Sequence, residues 1–228
     1  MDMSMQISHE SIYQYLYILP RGELKRTLTE ALRQEYKYRH QRKKGINAEE
    51  TRGKIANMLS IEERPAEIAD RTVPGHWEGD LILGKYQRSA LGTLVERTTR
   101  YTILVPLGAQ KDAVSVRHAY AAAFQSIPAE LKKSLTYDQG KEMSEHQQFT
   151  IDTDIKVYFA HPGSPWERGT NKNTYGLIRQ YFPKDTDFST VSLEQIKEAQ
   201  RSLNDRPRAV LDYLKPDEVF NYLVALKV

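Results

Sequence analysis

The chain predicts an α/β fold on a mixed sheet, and two observations predict it. The runs HWEGDLIL (76–83), SALGTLVER (89–97) and YTILVPL (101–107) follow one another across short turn-like breaks such as Thr98-Thr99-Arg100. Rich in β-branched and aromatic residues, they read as three strands in antiparallel series. After them the periodicity alternates between helix and strand, the signature of an α/β layer structure. The sheet expected is five-stranded and flanked by helices, behind a helical N-terminal extension.

Taken in order, 7–18 (ISHESIYQYLYI) reads as a helix with Ser8 as N-cap and Ile12, Tyr15, Leu16 and Ile18 on an apolar face. Pro20-Arg21-Gly22 breaks it, and 22–36 reads as a second amphipathic helix carrying Leu24, Leu28 and Leu32. Such a pair is either a helix-turn-helix remnant or a plain helical hairpin. The stretch 37–56 reads as a linker, and 60–75 (SIEERPAEIADRTVPG), punctuated by proline and without a period, as an extended connector. Beyond the three strands, 111–126 is a helix with Ala113, Val116, Tyr120 and Phe124 available for burial. SLTYD (134–138) is a strand, EHQQFTIDT (145–153) a helix and IKVYFA (155–160) a strand. HPGSPWERGTNKNTYGLIRQYFPK (161–184) is a Pro/Gly loop launching a helix over 170–182, with Thr170 or Asn171 as cap and Pro183 as stop. Helices at 192–204 and about 216–226 complete the chain. The domain division expected is 1–36, a helical remnant; 37–72, linker and connector; 73–190, the core; and 191–228, C-terminal helices.

A length of 228 residues is enough for one or two domains with a real core. Cysteine is absent, which removes disulfides and thiolate metal sites and is compatible with a reducing compartment. No apolar run reaches transmembrane length and MDMSMQISHE is no signal peptide, so a cytoplasmic protein without a membrane role is expected. The net charge of +3 says little; its distribution says more. Lys37, Arg39, Arg42, Lys43 and Lys44 occur with no acid among them, which suits either a polyanion contact or a solvated linker.

Two carboxylates stand out. Asp80 lies inside an apolar strand, where a charge costs several kcal/mol unless paired or bound to metal. Glu78 shares its face, so one of the two could look to solvent at a strand edge. Asp138 ends a later strand before Gln139-Gly140. Strand carboxylates at neighbouring sheet positions can converge on one divalent ion, oxygen-only ligation favouring Mg²⁺ or Mn²⁺; Asp-X-Gly is also an ordinary turn. In the helix after residue 170, Lys172 and Arg179 lie seven apart on one face, with Gly176 between them.

GHWEGDLILG (75–84), TYDQGKEM (136–143), the block 161–184 and LNDRPRAVLDY (203–213) together resemble the bacterial insertion-sequence transposases of the IS-thirty family, DDE-type enzymes on a ribonuclease H-like fold. SHESIYQYLY, RGELKRTL and SIEERPAEIADR resemble segments preceding that catalytic core, so the likeness covers most of the chain. By the resemblance the chain starts near the end of the upstream end-binding helix-turn-helix and is N-terminally truncated. Asp80 and Asp138 match the first two acids. The third, a Glu on a helix after thirty-three intervening residues, falls on Lys172, where Asn171-Lys172-Asn173 replaces Asn-Glu-Asn. Arg179 matches the basic residue seven beyond it, expected to face DNA phosphate, and Tyr175 stands where the family has a small polar residue.

The resemblance implies phosphodiester hydrolysis at element ends and attack of the freed 3′-hydroxyl on target DNA. Two ions of Mg²⁺ or Mn²⁺, roughly 3.5–4 Å apart, would be shared by Asp80, Asp138 and the helix acid. A protonated lysine has no lone pair to give. At about 4 Å and an effective dielectric near 20, a unit charge pair is worth roughly 4 kcal/mol, doubled against a divalent ion. The expectation is therefore a weakened metal site, with the Lys172 ammonium able to pair with the two aspartates instead, and a catalytically impaired copy. Glu167 or Glu142 could replace the missing acid. The partners implied are double-stranded DNA, at element ends and target, and further copies in a homo-oligomer or mixed oligomer. DNA contacts are expected from the 37–44 cluster, Arg168, Arg179 and Lys184. Two rivals remain: a non-catalytic remnant acting by mixed assembly, and a metal nuclease of the same fold. His40, His118, His146 and His161 share no metal spacing. Trp166 and Tyr158 could stack on bases, with core packing favoured for Tyr158.

Overall fold

The computed structural model describes residues 7, 9–31, 55–68 and 70–226. The chain divides into two compact units, 1–49 and 50–228. In the first, α1 (His9–Ile18) and α2 (Glu23–Glu30) flank the Pro-Arg-Gly break. The Lys25 ammonium donates to the carbonyls of Tyr17 (3.0 Å) and Leu19 (2.8 Å), meeting acceptors that a helix C-terminus leaves open. Of the apolar stripe expected on α1 only Leu16 is buried; Ile12, Tyr15 and Ile18 are exposed, as is Leu24 on α2. Helices of ten and eight residues offer each other too little surface to cover that stripe. Leu32 and the linker from 37 to 54 lie outside the described residues.

The second unit is built on a six-stranded sheet in the order β1-β6-β5-β2-β3-β4. Its strands are β1 (Leu59–Ser60), β2 (His76–Leu83), β3 (Ala90–Glu96), β4 (Thr102–Gly108), β5 (Ser134–Tyr137) and β6 (Lys156–Phe159). The three expected consecutive strands do pair antiparallel, whereas β5 lies parallel to β2 and to β6, and β1 parallel to β6. The sixth strand, β1, comes from the edge of the stretch expected to be an extended connector. That stretch is instead two single 3₁₀ turns, Ile61–Glu63 and Ala66–Ile68, the first closed by a reciprocal Ser60/Glu63 capping box. Single turns leave no period to read, and the buried Ile55 and Ile68 seat the segment on this unit upstream of residue 73.

Alternation along the strands sorts the core into two layers. Trp77, Leu94, Val105, Leu135 and Tyr137 pack with α3 (Ala113–Phe124), α4 (His146–Thr153) and Phe220 of α7 (Pro216–Ala225). Trp77 meets Phe124 and Phe220 edge-on, and Tyr101 stacks on Phe220 at 4.2 Å. Burying such a ring is worth roughly 1.5–3 kcal/mol, which fixes α7 to the sheet. On the opposite side Ile82, Leu91 and Leu104 pack with α5 (Gly169–Ile178), α6 (Leu193–Asn204), Phe182 and Phe188. Helix α5 stops at Ile178 rather than at 182, and the Arg179 guanidinium donates forward to the Pro183 carbonyl at 3.1 Å. It also begins one residue early, so Thr170 and Asn171 are not its caps; both side chains reach other elements.

Candidate active site

Strand register brings the two aspartates together. Glu78 of β2 is paired in register with Thr136 of β5. Two residues on along these parallel strands stand Asp80 and Asp138, on the same face and about one strand spacing apart. Asp80 continues β2 while β5 ends at Tyr137, so a crevice opens where the pairing stops. Glycine at 79 lets the Tyr137 ring lie against β2: a Cβ there would sit 2.8 Å from that ring. The Tyr120 hydroxyl donates to the Asp80 carbonyl at 2.9 Å and holds the strand from beneath.

Arg168 closes the constellation. Its Nη1 lies 3.1 Å from Asp80 Oδ2 and its Nη2 3.1 Å from Asp138 Oδ2, with a further bond to the Gly79 carbonyl. One guanidinium thus spans both carboxylates. Burial pushes the Asp80 carboxyl up to about 6; Arg168 opposes that shift and the Asp138 charge adds to it. Lys172, expected from the resemblance to stand in the third acidic position, is exposed. With Tyr175 it forms a stripe on one face of α5, flanked at its ends by the caps Arg168 and Arg179. The ends of that stripe reach β2 at Asp80 and, through Arg179 Nη2, at the Leu83 carbonyl 2.7 Å away. The cation seated between the aspartates is therefore Arg168 and not Lys172, since the loop ahead of α5 has the closer approach.

The alternative acids part company. Glu167 folds back on the loop and accepts from the His161 amide at 2.8 Å, with its other oxygen 2.9 Å from His161 Nδ1. Glu142 lines an open cleft of 470 Å³ with Asp80 and Asp138, its carboxyl pushed up by burial. Among the described residues no group of three acidic, histidine or cysteine side chains is arranged to hold a metal ion. Two carboxylates already bridged by a guanidinium do not fit a resident pair of divalent ions.

Of the two acids on this strand face, Glu78 is the one turned inward. It faces no solvent, because β2 is a central strand: fully buried, it accepts from the Asn171 amide at 2.8 Å and lies 3.6 Å from Arg97 Nε. The Asn171 side chain donates to the Glu78 carbonyl, tying α5 to β2. The sequence did carry a signal for this, an acid two residues from Asp80 on the same strand face. Lys184 is exposed, and Lys37, Arg39, His40, Arg42, Lys43 and Lys44 lie outside the described residues. His146 is buried against the Ala56 carbonyl, and His118 sits beside Arg117. Tyr158 is buried at 6% exposure, while Trp166, in the loop beside Arg168, is 70% exposed.

Comparison with known proteins places the chain among sequences of one kind. Residues 70–165 match the family described as integrase core domain. The chain is 45% identical to the transposase for insertion sequence element IS1086 of Cupriavidus metallidurans, over 97% of this chain and 64% of that protein. It is 44% identical to transposase InsI for insertion sequence element IS30A of Escherichia coli, over 98% of this chain and 58% of that protein. The chain thus spans about three fifths of the length of these curated relatives. A solved simian T-cell lymphotropic virus intasome in complex with PP2A regulatory subunit B56 gamma superposes with TM-score 0.48 at 14% identity, over 58% of this chain and 49% of that one.

Proposed function

Since the chain belongs to the IS30-like bacterial transposases and carries a ribonuclease H-like integrase core, we propose that it engages double-stranded DNA as a transposase relative whose cleavage and strand-transfer chemistry is impaired. Family resemblance implies a divalent-metal-dependent mechanism. The observation that carries the reading of impairment is the Arg168 guanidinium lying 3.1 Å from both Asp80 and Asp138 while Lys172 stands in the third acidic position. A guanidinium has only donors to offer, so it satisfies the carboxylates electrostatically and gives nothing to a metal. Losing even an outer partner of a metal site costs about 10–100-fold in affinity or activity, and reversing the charge at a ligand position costs more. DNA contacts are assigned to Lys184, to Arg179 and to the basic run between Lys37 and Lys44, with Arg168 free for DNA only when it leaves the aspartates.

The test is a strand-transfer and cleavage assay on duplex DNA in Mg²⁺ and in Mn²⁺, comparing the chain with Lys172→Glu. Binding of the duplex by both, with product formed at least about tenfold faster by Lys172→Glu, is the expected result. Equal activity of the two proteins refutes the impairment. Absence of duplex binding refutes the DNA reading.

A further inference from the structure

The opposite side of α5 from the aspartates carries a second constellation, made of cations. Arg71, Arg100 and Arg208 line an open cavity of 320 Å³ together with Thr170 and Asn173, and no acid is among its described lining residues. By helical spacing 169, 170, 173, 174 and 177 lie on the far side of α5 from the stripe of Lys172 and Tyr175, so cavity and carboxylate cleft are separate. Arg97 is close enough to feel these groups: burial pushes it down to about 10, the Glu78 charge opposes that shift, and the charges of Arg64, Arg71 and Arg100 add to it.

Glu78 and Glu96 offset part of this charge on Arg97 and Arg100, and both are also engaged with backbone amides. Glu96 turns inward to the amides of Gly75 (3.1 Å), Thr98 (2.9 Å) and Thr99 (2.6 Å) and to the Thr99 hydroxyl (2.8 Å). Glu78 holds the Asn171 amide and faces one edge of Arg97. Donors are left over: among the described residues Arg97 Nη1 and Arg100 Nε are buried with no hydrogen-bond partner. Arg97 is 3% exposed. Arg100 already places Nη1 on the Thr170 hydroxyl at 2.6 Å, and its backbone sits at φ 63, a conformation that costs a non-glycine residue energy and that the surrounding structure must hold. Arginines gathered against one another, partly desolvated and with donors unspent, are stabilised by an anion, and the guanidinium fork suits phosphate oxygens.

We propose that this cavity is a phosphate seat, holding one backbone phosphate of a DNA strand that passes along α5 away from the aspartate cleft. The source of the phosphate rests on the DNA reading above; the seat itself rests on the cavity. Binding of a fluorescently labelled duplex is followed by anisotropy over a salt series for the chain, for Arg71→Gln and for Asn173→Asp, the last adding a carboxylate at an exposed position without removing any donor the fold uses. In parallel, thermal melting is recorded with and without inorganic phosphate. Each variant is expected to lower the slope of log K against log salt by about 1, equally for unrelated duplex sequences, and to lose the phosphate-dependent rise in melting temperature. An unchanged slope in both variants overturns the seat. If the chain binds no duplex but phosphate raises its melting point and not that of Arg71→Gln, the seat stands, its ligand is a free phosphate, and the DNA reading fails. If neither duplex nor phosphate is bound, the seat is overturned.

Discussion

Arg168 reaches Asp80 and Asp138 with one nitrogen each, and among the described residues neither aspartate has another cation so near. Replacing it by methionine strands two carboxylates side by side. Breaking a fully buried pair costs about 3–5 kcal/mol; the Asp138 side chain is 40% exposed, so a loss of roughly 2 kcal/mol is expected at neutral pH. Removing the cation also removes what holds Asp80 down, so in Arg168→Met its carboxyl should titrate above 6. Chemical denaturation and carboxyl NMR titration measure the two effects; an unchanged Asp80 midpoint would deny that the guanidinium sits there in solution. At this scale the sequence was half legible. An acid inside an apolar strand pointed to Asp80, and the strand end pointed to Asp138. The role of Arg168 was hidden because it depends on how the Pro/Gly loop folds over β2, which no local pattern encodes; the same loop turned Glu167 toward His161.

At the scale of elements, β2 is the strand on which the site is threaded, and its first residue gives it a pH dependence. His76 is buried with Nδ1 2.8 Å from the Ser134 hydroxyl. Burial, together with the charges of Lys133, Arg97 and Arg64, lowers its titration from 6.5 to about 4. Between those values the unfolded chain takes up a proton and the native one does not, so stability falls as pH drops from about 6.5 to about 4. At about 1.4 kcal/mol per pH unit, the loss reaches roughly 3 kcal/mol. Asp80 works the other way over an overlapping window, its raised midpoint favouring the native state as pH falls from about 6 toward 4. The comparison that isolates His76 is therefore His76→Asn, whose urea denaturation midpoint should fall less between pH 6.5 and 4.5 than that of the chain itself. A parallel decline in both would mean that His76 is protonated in the native state. Most elements were legible from periodicity, including α3 with Val116, Tyr120 and Phe124 buried. What escaped were pieces too short to have a period: β1 and the two 3₁₀ turns before β2.

For the whole molecule, the sheet sets the distance between two sites on opposite sides of α5, the carboxylate cleft and the arginine cavity. The fold and family were legible because several blocks along the chain agree with one pattern, and sequence comparison over nearly the full chain supports them. The state of the carboxylate cleft was legible only in part: Lys172 pointed, by resemblance alone, to an altered third position, but only the fold shows a guanidinium seated between the two aspartates. The most direct test of that claim is Mn²⁺ titration calorimetry on the chain beside the Arg168→Met/Lys172→Glu double variant, with Asp80→Asn added to the double variant as a control. Mn²⁺ should bind the double variant at least about tenfold more tightly than the chain, and the added Asp80→Asn should abolish the gain. Equally tight binding by the unaltered chain would contradict it.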